Sequence, residues 1–171
     1  MSELARITEE KCLAARLSAA TSLQRAIDAL KSREAAKGNL YSGFTAKRVL
    51  ALCQDALSEF GRVATGHYEW HVRQALVLGP SKLHVLVSAA AAHVALLHDA
   101  CAVHIEREFA FLGAESSIPN CLSELRGTHS ATAQAMRLSL ESRFAEQRCG
   151  LLRSLLSRMG GLASKLVGLR P

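Results

Sequence analysis

The sequence predicts an all-α protein, an antiparallel up-down-up-down bundle of four long helices, on three observations. Leu and Ala, the best helix formers, dominate a chain of 171 residues with 49% apolar, 21% charged and only 5% aromatic side chains. Apolar residues recur every three to four positions over long stretches, and no strand-length alternation competes with them. Turn residues cluster at widely spaced points, and three of the four segments between them run about 33 to 36 residues, or about 50 Å as helix. Matched lengths joined by short connectors suit a four-helix bundle. With no internal repeat or second boundary, residues 1–171 read as a single helical-bundle domain.

The first helix is expected over Ser2 to Lys37. Ser2 stands at the N-cap, and Glu3, Glu9 and Glu10 lie near the positive end of the dipole. Its stripe is Leu13, Leu17, Ala20, Leu23, Ile27 and Leu30, and Gly38 ends it. The second helix starts near Thr45 and carries Val49, Leu50, Cys53, Leu57, Phe60 and Val63. Gly61 and Gly66 each weaken it by about 1 kcal/mol relative to Ala, so the spacing predicts one kinked helix up to Gly79.

Gly79-Pro80-Ser81 is the sharpest punctuation, with Ser81 able to cap the next helix and so tight a turn making a helical hairpin. The third helix ends near Gly113. From Leu83 to His98 it holds no formally charged side chain, which predicts a segment buried nearly all round at the centre of the bundle. That run is too short, and too interrupted by His, to predict a membrane span. The fourth helix is expected from about Asn120 to Leu169, with an early interruption at Gly127-Thr128 and a bend at Gly160-Gly161.

The five cysteines, Cys12, Cys53, Cys101, Cys121 and Cys149, are odd in number and widely spaced. They fit a reducing compartment better than a disulfide framework. Cys53 and Cys101 fall inside apolar patterns as core thiols. With an N-terminus unlike a secretory signal, a cytoplasmic protein is expected.

No motif specifies a chemistry. A nucleophile elbow, a phosphate-binding Gly loop, zinc-finger spacing and the Glu-x-x-His pair of di-metal bundles are all missing from the sequence. The sequence therefore implies no cofactor. His98 and Cys101 stand i, i+3 on an apolar helix, where a buried thiol is inert. One metal hypothesis survives spacing: His67 and His71 lie at i, i+4, and the hairpin would bring His93 opposite His67. The competing explanation is two half-buried histidines and one satisfied core histidine. A second possible group joins His104 and Glu108 to Glu124 and His129, against the plainer reading of charges solvating a helix end.

The segment 147–171 is the more unusual stretch. After Glu146 no acid remains, while Arg148, Arg153, Arg158, Lys165 and Arg170 interleave with Leu151, Leu155, Met159, Leu162 and Leu166. This basic amphipathic segment is the expected interaction surface, centred on Arg148, Arg153, Leu155, Arg158, Met159, Leu162, Lys165 and Leu166. The sequence thus predicts a non-enzymatic interaction or assembly protein, working through a protein partner or self-association. Two alternatives stand beside it: a metal- or ligand-binding bundle using His67, His71 and His93, and reversible binding of anionic membrane or nucleic acid through the tail. The net charge of +6 permits the last without requiring it.

Overall fold

A computed structural model describes the backbone of residues 3–75 and 78–167, and side chains within that range up to residue 150. Helix α1 spans Glu3–Ala36, α2 Gly43–Gln74, α3 Pro80–Phe111 and α4 Ile118–Val167, with one turn of 3₁₀ helix at Glu115–Ser117. Cross-helix bonds fix the directions. His93 meets Glu9 and Lys31 meets Glu108, so α1 and α3 run parallel. Ser139 meets Glu69 and Gln147 meets Ala75, so α2 and α4 also run parallel, opposite to the first pair. His71 on α2 meets Thr8 near the start of α1, which sets the two pairs antiparallel. The up-down-up-down four-helix bundle is therefore as the sequence predicts.

Local chemistry explains the boundaries. Gly38 and Gly113 carry φ of 72° and 68°, the left-handed conformation that Gly adopts without a Cβ penalty. At both, the chain closes a Schellman turn: Asn39 N–H donates to Glu34 C=O at 2.9 Å, and Ala114 N–H to Phe109 C=O at 2.8 Å. Ser42 caps α2, its Oγ accepting from Thr45 N–H at 3.2 Å. Ser81 does not cap α3. Gly79 takes that place without a side-chain bond, and Pro80, whose missing N–H costs nothing there, opens the helix. Helix α2 runs uninterrupted through Gly61 and Gly66, and α4 through Gly127-Thr128. The bend expected at Gly160-Gly161 falls where the backbone alone is described, as helix.

The expectation of a central α3 is overturned. α2 is the helix that packs against all three companions, through Cys53, Leu57, Phe60, Ala64 and Tyr68, all essentially buried. Helices α1 and α4 flank it on opposite sides and do not touch each other among the described residues. α3 packs on α2 and α4 but only sparsely on α1, and Val85, Leu96 and Val103 are 65%, 48% and 60% exposed. The physical reason is that lack of charge is not the same as burial: α3 has enough Leu and Val for one core face, while its remaining faces are small or apolar without a neighbour. By length and composition α3 also suffices to cross a membrane, contrary to the sequence expectation, because a window longer than the charge-free run still holds few charges.

The α1 stripe is likewise rotated in its first half. Thr8, Cys12, Leu23, Ile27 and Leu30 are buried, whereas Leu13 and Leu17 are exposed along the open seam beside α3. Cys53 and Cys101 do lie in the core, each Sγ–H reaching the other's backbone carbonyl, at 3.9 Å and 3.8 Å. The contact with Cys101 and burial raise the Cys53 thiol far above its ordinary range, leaving it protonated and inert.

Candidate functional site

The histidines of the proposed metal group do not converge; they turn to α1 instead. Near the start of α1, Thr8 and Glu9 face the end of α2 and the first half of α3. Tyr68 Oη–H donates to Glu9 Oε1 at 2.7 Å, and His93 Nε2 lies 2.8 Å from Glu9 Oε2. A carboxylate only accepts, so Nε2 of His93 carries a proton. Thr8 Oγ1 spends its single proton on Leu4 C=O at 2.9 Å. At its 3.0 Å contact with His71 it therefore accepts, and His71 is protonated on Nδ1. One carboxylate on α1 thus holds a phenol from α2 and an imidazole from α3, while a neighbouring hydroxyl holds a second imidazole from α2.

Burial shapes the electrostatics of this cluster. It works to raise the Glu9 carboxyl, but hydrogen bonds from His93 and Tyr68 and the nearby imidazoles outweigh it and hold the group below its ordinary value. Burial lowers His71 against the pull of Glu9, and burial together with the Lys11 ammonium lowers His67. The same burial raises the Cys12 thiol to about 12, so it is no nucleophile at neutral pH. Nδ1 of His93 is buried without a hydrogen-bond partner.

His67 stands apart, half-buried beside Lys11, whose Nζ lies 4.0 Å above the Trp70 ring. Among the described residues no group of three or more His, Cys, Asp or Glu has an arrangement able to hold a metal ion. The trio His67, His71 and His93 is therefore not a metal centre in this fold: the α2–α3 pairing is right in direction, but Glu9 and Thr8 intervene from α1.

The second group is divided as well. Glu108, 2% exposed, accepts from Lys31 Nζ at 2.7 Å and from Arg107 Nε at 2.9 Å. His104 Nδ1 faces the Arg107 guanidinium at 3.3 Å. His129 instead packs against His98, ring centroids 4.9 Å apart and planes tilted by 47°, and Glu124 is exposed. A similar anchor lies close by in sequence on α1, where Lys37 and Arg48 flank the buried Glu34 at 3.2 Å and 3.5 Å.

Neither the Glu9 nor the Glu108 cluster lines the groove between α1 and α2. The groove between α1 and α2, about 470 Å³, is walled by Ala15, Ala19, Ala26, Leu52 and Phe60. The Glu9 cluster is thus a polar clamp across three helices. Sequence reading placed Glu9 as a dipole residue and missed it as a hub. One signal was present: extending the stripe back one turn from Leu13 lands on Glu9. Of the expected interaction residues, Arg148 is exposed with its guanidinium 5.6 Å from the Phe144 ring centroid. Arg153, Leu155, Arg158, Met159, Leu162, Lys165 and Leu166 lie outside the residues whose side chains are described.

A scan against protein-family models, a search of curated proteins and a search of solved structures each found no match.

The buried titratable groups imply acid lability, and the sign follows from the directions of their shifts. Burial is the leading cause in lowering His67, His71, His104 and His129, so unfolded histidines, titrating near 6.5, bind protons that the folded ones resist. Stability from these groups is full at neutral pH and declines as pH falls below about 6.5. Glu9, lowered in the fold, adds stability above about 4.3, and this is lost as pH falls through its folded value. Urea midpoints should therefore be lower at pH 5.5 than at pH 7.5; equal midpoints would contradict the burial of these rings.

Proposed function

We propose that this protein is a non-enzymatic helical assembly protein that acts through its surface, by self-association or by capture of a protein partner. The observation that carries the reading is a length mismatch. α4 has 50 residues, whereas α2 and α3 have 32 each. Gln147 of α4 hydrogen-bonds to Ala75, just past the end of α2, and α4 continues from there to Val167, about 30 Å of further helix. In sequence that arm is the basic amphipathic segment with Leu155, Met159, Leu162 and Leu166, apolar groups for which α2 offers no further length. Two further facts agree with a role in assembly: the polar clusters are satisfied largely within the chain, and apolar side chains are exposed along α3. The cysteines are all free, four of them buried, which supports a reducing, aqueous setting such as the cytoplasm.

Ending the chain after Gly160 should leave the melting temperature within a few degrees of the full chain, because the described core ends before it. It should also weaken association at least about tenfold, as sedimentation and pull-down would read. Unchanged association would refute the role of the arm. The absence of acids after Glu146 favours one second reading, binding of an anionic membrane or nucleic acid by the arm. That reading requires binding to phosphatidylserine vesicles or duplex DNA that falls steeply as salt rises.

A further inference from the structure

We infer that His98 of α3 and His129 of α4 form a two-histidine site for a zinc ion, which ties the two helices together when bound. The inference is independent of the assembly reading above. The α3–α4 hairpin turns at Gly113, and the two histidines stand roughly fifteen residues before and after it, so the antiparallel packing sets them opposite each other. Their ring centroids are 4.9 Å apart. The side chain of His98 is 20% exposed, so an ion has access from solvent.

That separation suits a shared metal. Zinc binds an imidazole nitrogen at about 2.0–2.1 Å. The ring centre lies about 1.1 Å behind the nitrogen, so two rings on one ion have centroids about 4.5 Å apart at a right-angled N–Zn–N and about 5.2 Å apart at a tetrahedral one. The observed spacing falls between these limits. Imidazole suits borderline ions, and zinc among them has no redox chemistry to turn on the free thiols of this chain.

The hydrogen bonding prepares both rings as ligands. Nδ1 of His98 lies 3.1 Å from Asp99 Oδ1. A carboxylate only accepts, so Nδ1 carries the proton, and the lone pair of the neutral ring is on Nε2. Metal-binding imidazoles are commonly held this way, because the carboxylate fixes the tautomer and orients the ring. Nε2 of His129 is buried without a hydrogen-bond partner. A buried polar atom left unpaired is costly, and a bound ion removes that cost. Burial, with His98 close by, lowers His129 and keeps its ring in the neutral form that binds metal.

Among the described residues no third His, Cys, Asp or Glu completes the set, so water fills the remaining positions. With half the protein ligands of a structural zinc site, the expected affinity is on the order of 10 μM. Zinc titration of the full chain carrying Cys149→Ser, which removes the exposed thiol, tests this. One ion per chain should bind, as competition with a chromophoric chelator would read. At about 0.5 mM zinc the melting temperature should rise by about 5 °C. His98→Gln and His129→Gln should each weaken binding at least about tenfold and remove the shift, with helicity unchanged by circular dichroism. Asp99→Asn should weaken it about threefold to tenfold, through the lost orientation of His98. His67→Gln, which breaks the i, i+4 pair on α2, should change nothing. Nitrogen-15 spectra of the histidine rings, with both histidines in place, should show zinc moving Nε2 of His98 and of His129, and this result decides the matter where a variant fails to fold.

Binding weaker than about 1 mM overturns the inference, as does binding indifferent to both His98→Gln and His129→Gln. Loss on His67→Gln with the α3 and α4 variants still binding assigns the ion to α2 and overturns the site. Zinc that moves only one of the two Nε2 resonances overturns the shared ion and leaves the rings a packing contact.

Discussion

Glu9→Ala should lower the unfolding free energy by about 2 kcal/mol and the melting temperature by about 6 °C, although residue 9 stands only in the second turn of a helix. The loss comes from what the carboxylate leaves behind. Tyr68 is fully buried, with its hydroxyl bonded to Glu9, and His93 is buried with Nε2 on the same carboxylate. Removing the shared acceptor strands two donors, each costing about 1–3 kcal/mol when no water replaces the bond. The Glu9 side chain is 38% exposed, so water can reach part of the vacated space, which places the sum at the low end. Glu9→Gln retains one acceptor and should cost about half as much. Tyr68→Phe should cost about 1 kcal/mol alone and less in the Glu9→Ala background, because the phenol then has no acceptor to lose. A Glu9→Ala protein within 0.5 kcal/mol of wild type, the range of an ordinary surface substitution, would mean that the carboxylate is merely solvated.

The clamp shows where sequence reading stops. Helix periodicity recovers the four elements because each stripe is a local property, written every three or four residues, and the positive-φ glycines at 38 and 113 mark ends that any L side chain would strain. Which helix is central is not local. Leu83–His98 looks like a core segment because it lacks charge, but burial depends on how many neighbours surround a face, and α1 passes too far from α3 to cover Leu96 or Val103. The same limit applies to the histidines. His67, His71 and His93 satisfy pairwise spacing on α2 and α3, and the residues that they meet instead, Lys11, Thr8 and Glu9, come from a helix more than fifty positions away. A two-helix argument has no place for a third-helix acceptor. The thiols Cys53 and Cys101 were legible because each lies at the centre of an apolar pattern on its own helix.

Gly61 carries the second large expectation, and in sequence it reads only as a weak point of α2. In the fold it is buried against α4: a Cβ built there would lie 2.1 Å from Thr132 Cγ2. Thr132 has two ordinary χ1 rotamers on a helix, so making room means rotating its side chain or parting α2 from α4. Two opposed effects follow from adding a methyl. Ala is the better helix former by about 1 kcal/mol, while overpacking so close a contact costs about 1–3 kcal/mol. Gly61→Ala should therefore be neutral to about 2 kcal/mol destabilising. Gly61→Val adds two further methyls and a β-branch, and should cost about 3 kcal/mol and lower the melting temperature by about 8 °C. The discriminating measurement is the double variant. Thr132→Ala removes the opposing methyl, so Gly61→Ala with Thr132→Ala should regain at least 1 kcal/mol relative to the sum of the single changes. Were Gly61→Ala alone to stabilise by about 1 kcal/mol with no coupling to residue 132, helix propensity would be the only effect at this position, and the close approach of α2 and α4 would be wrong.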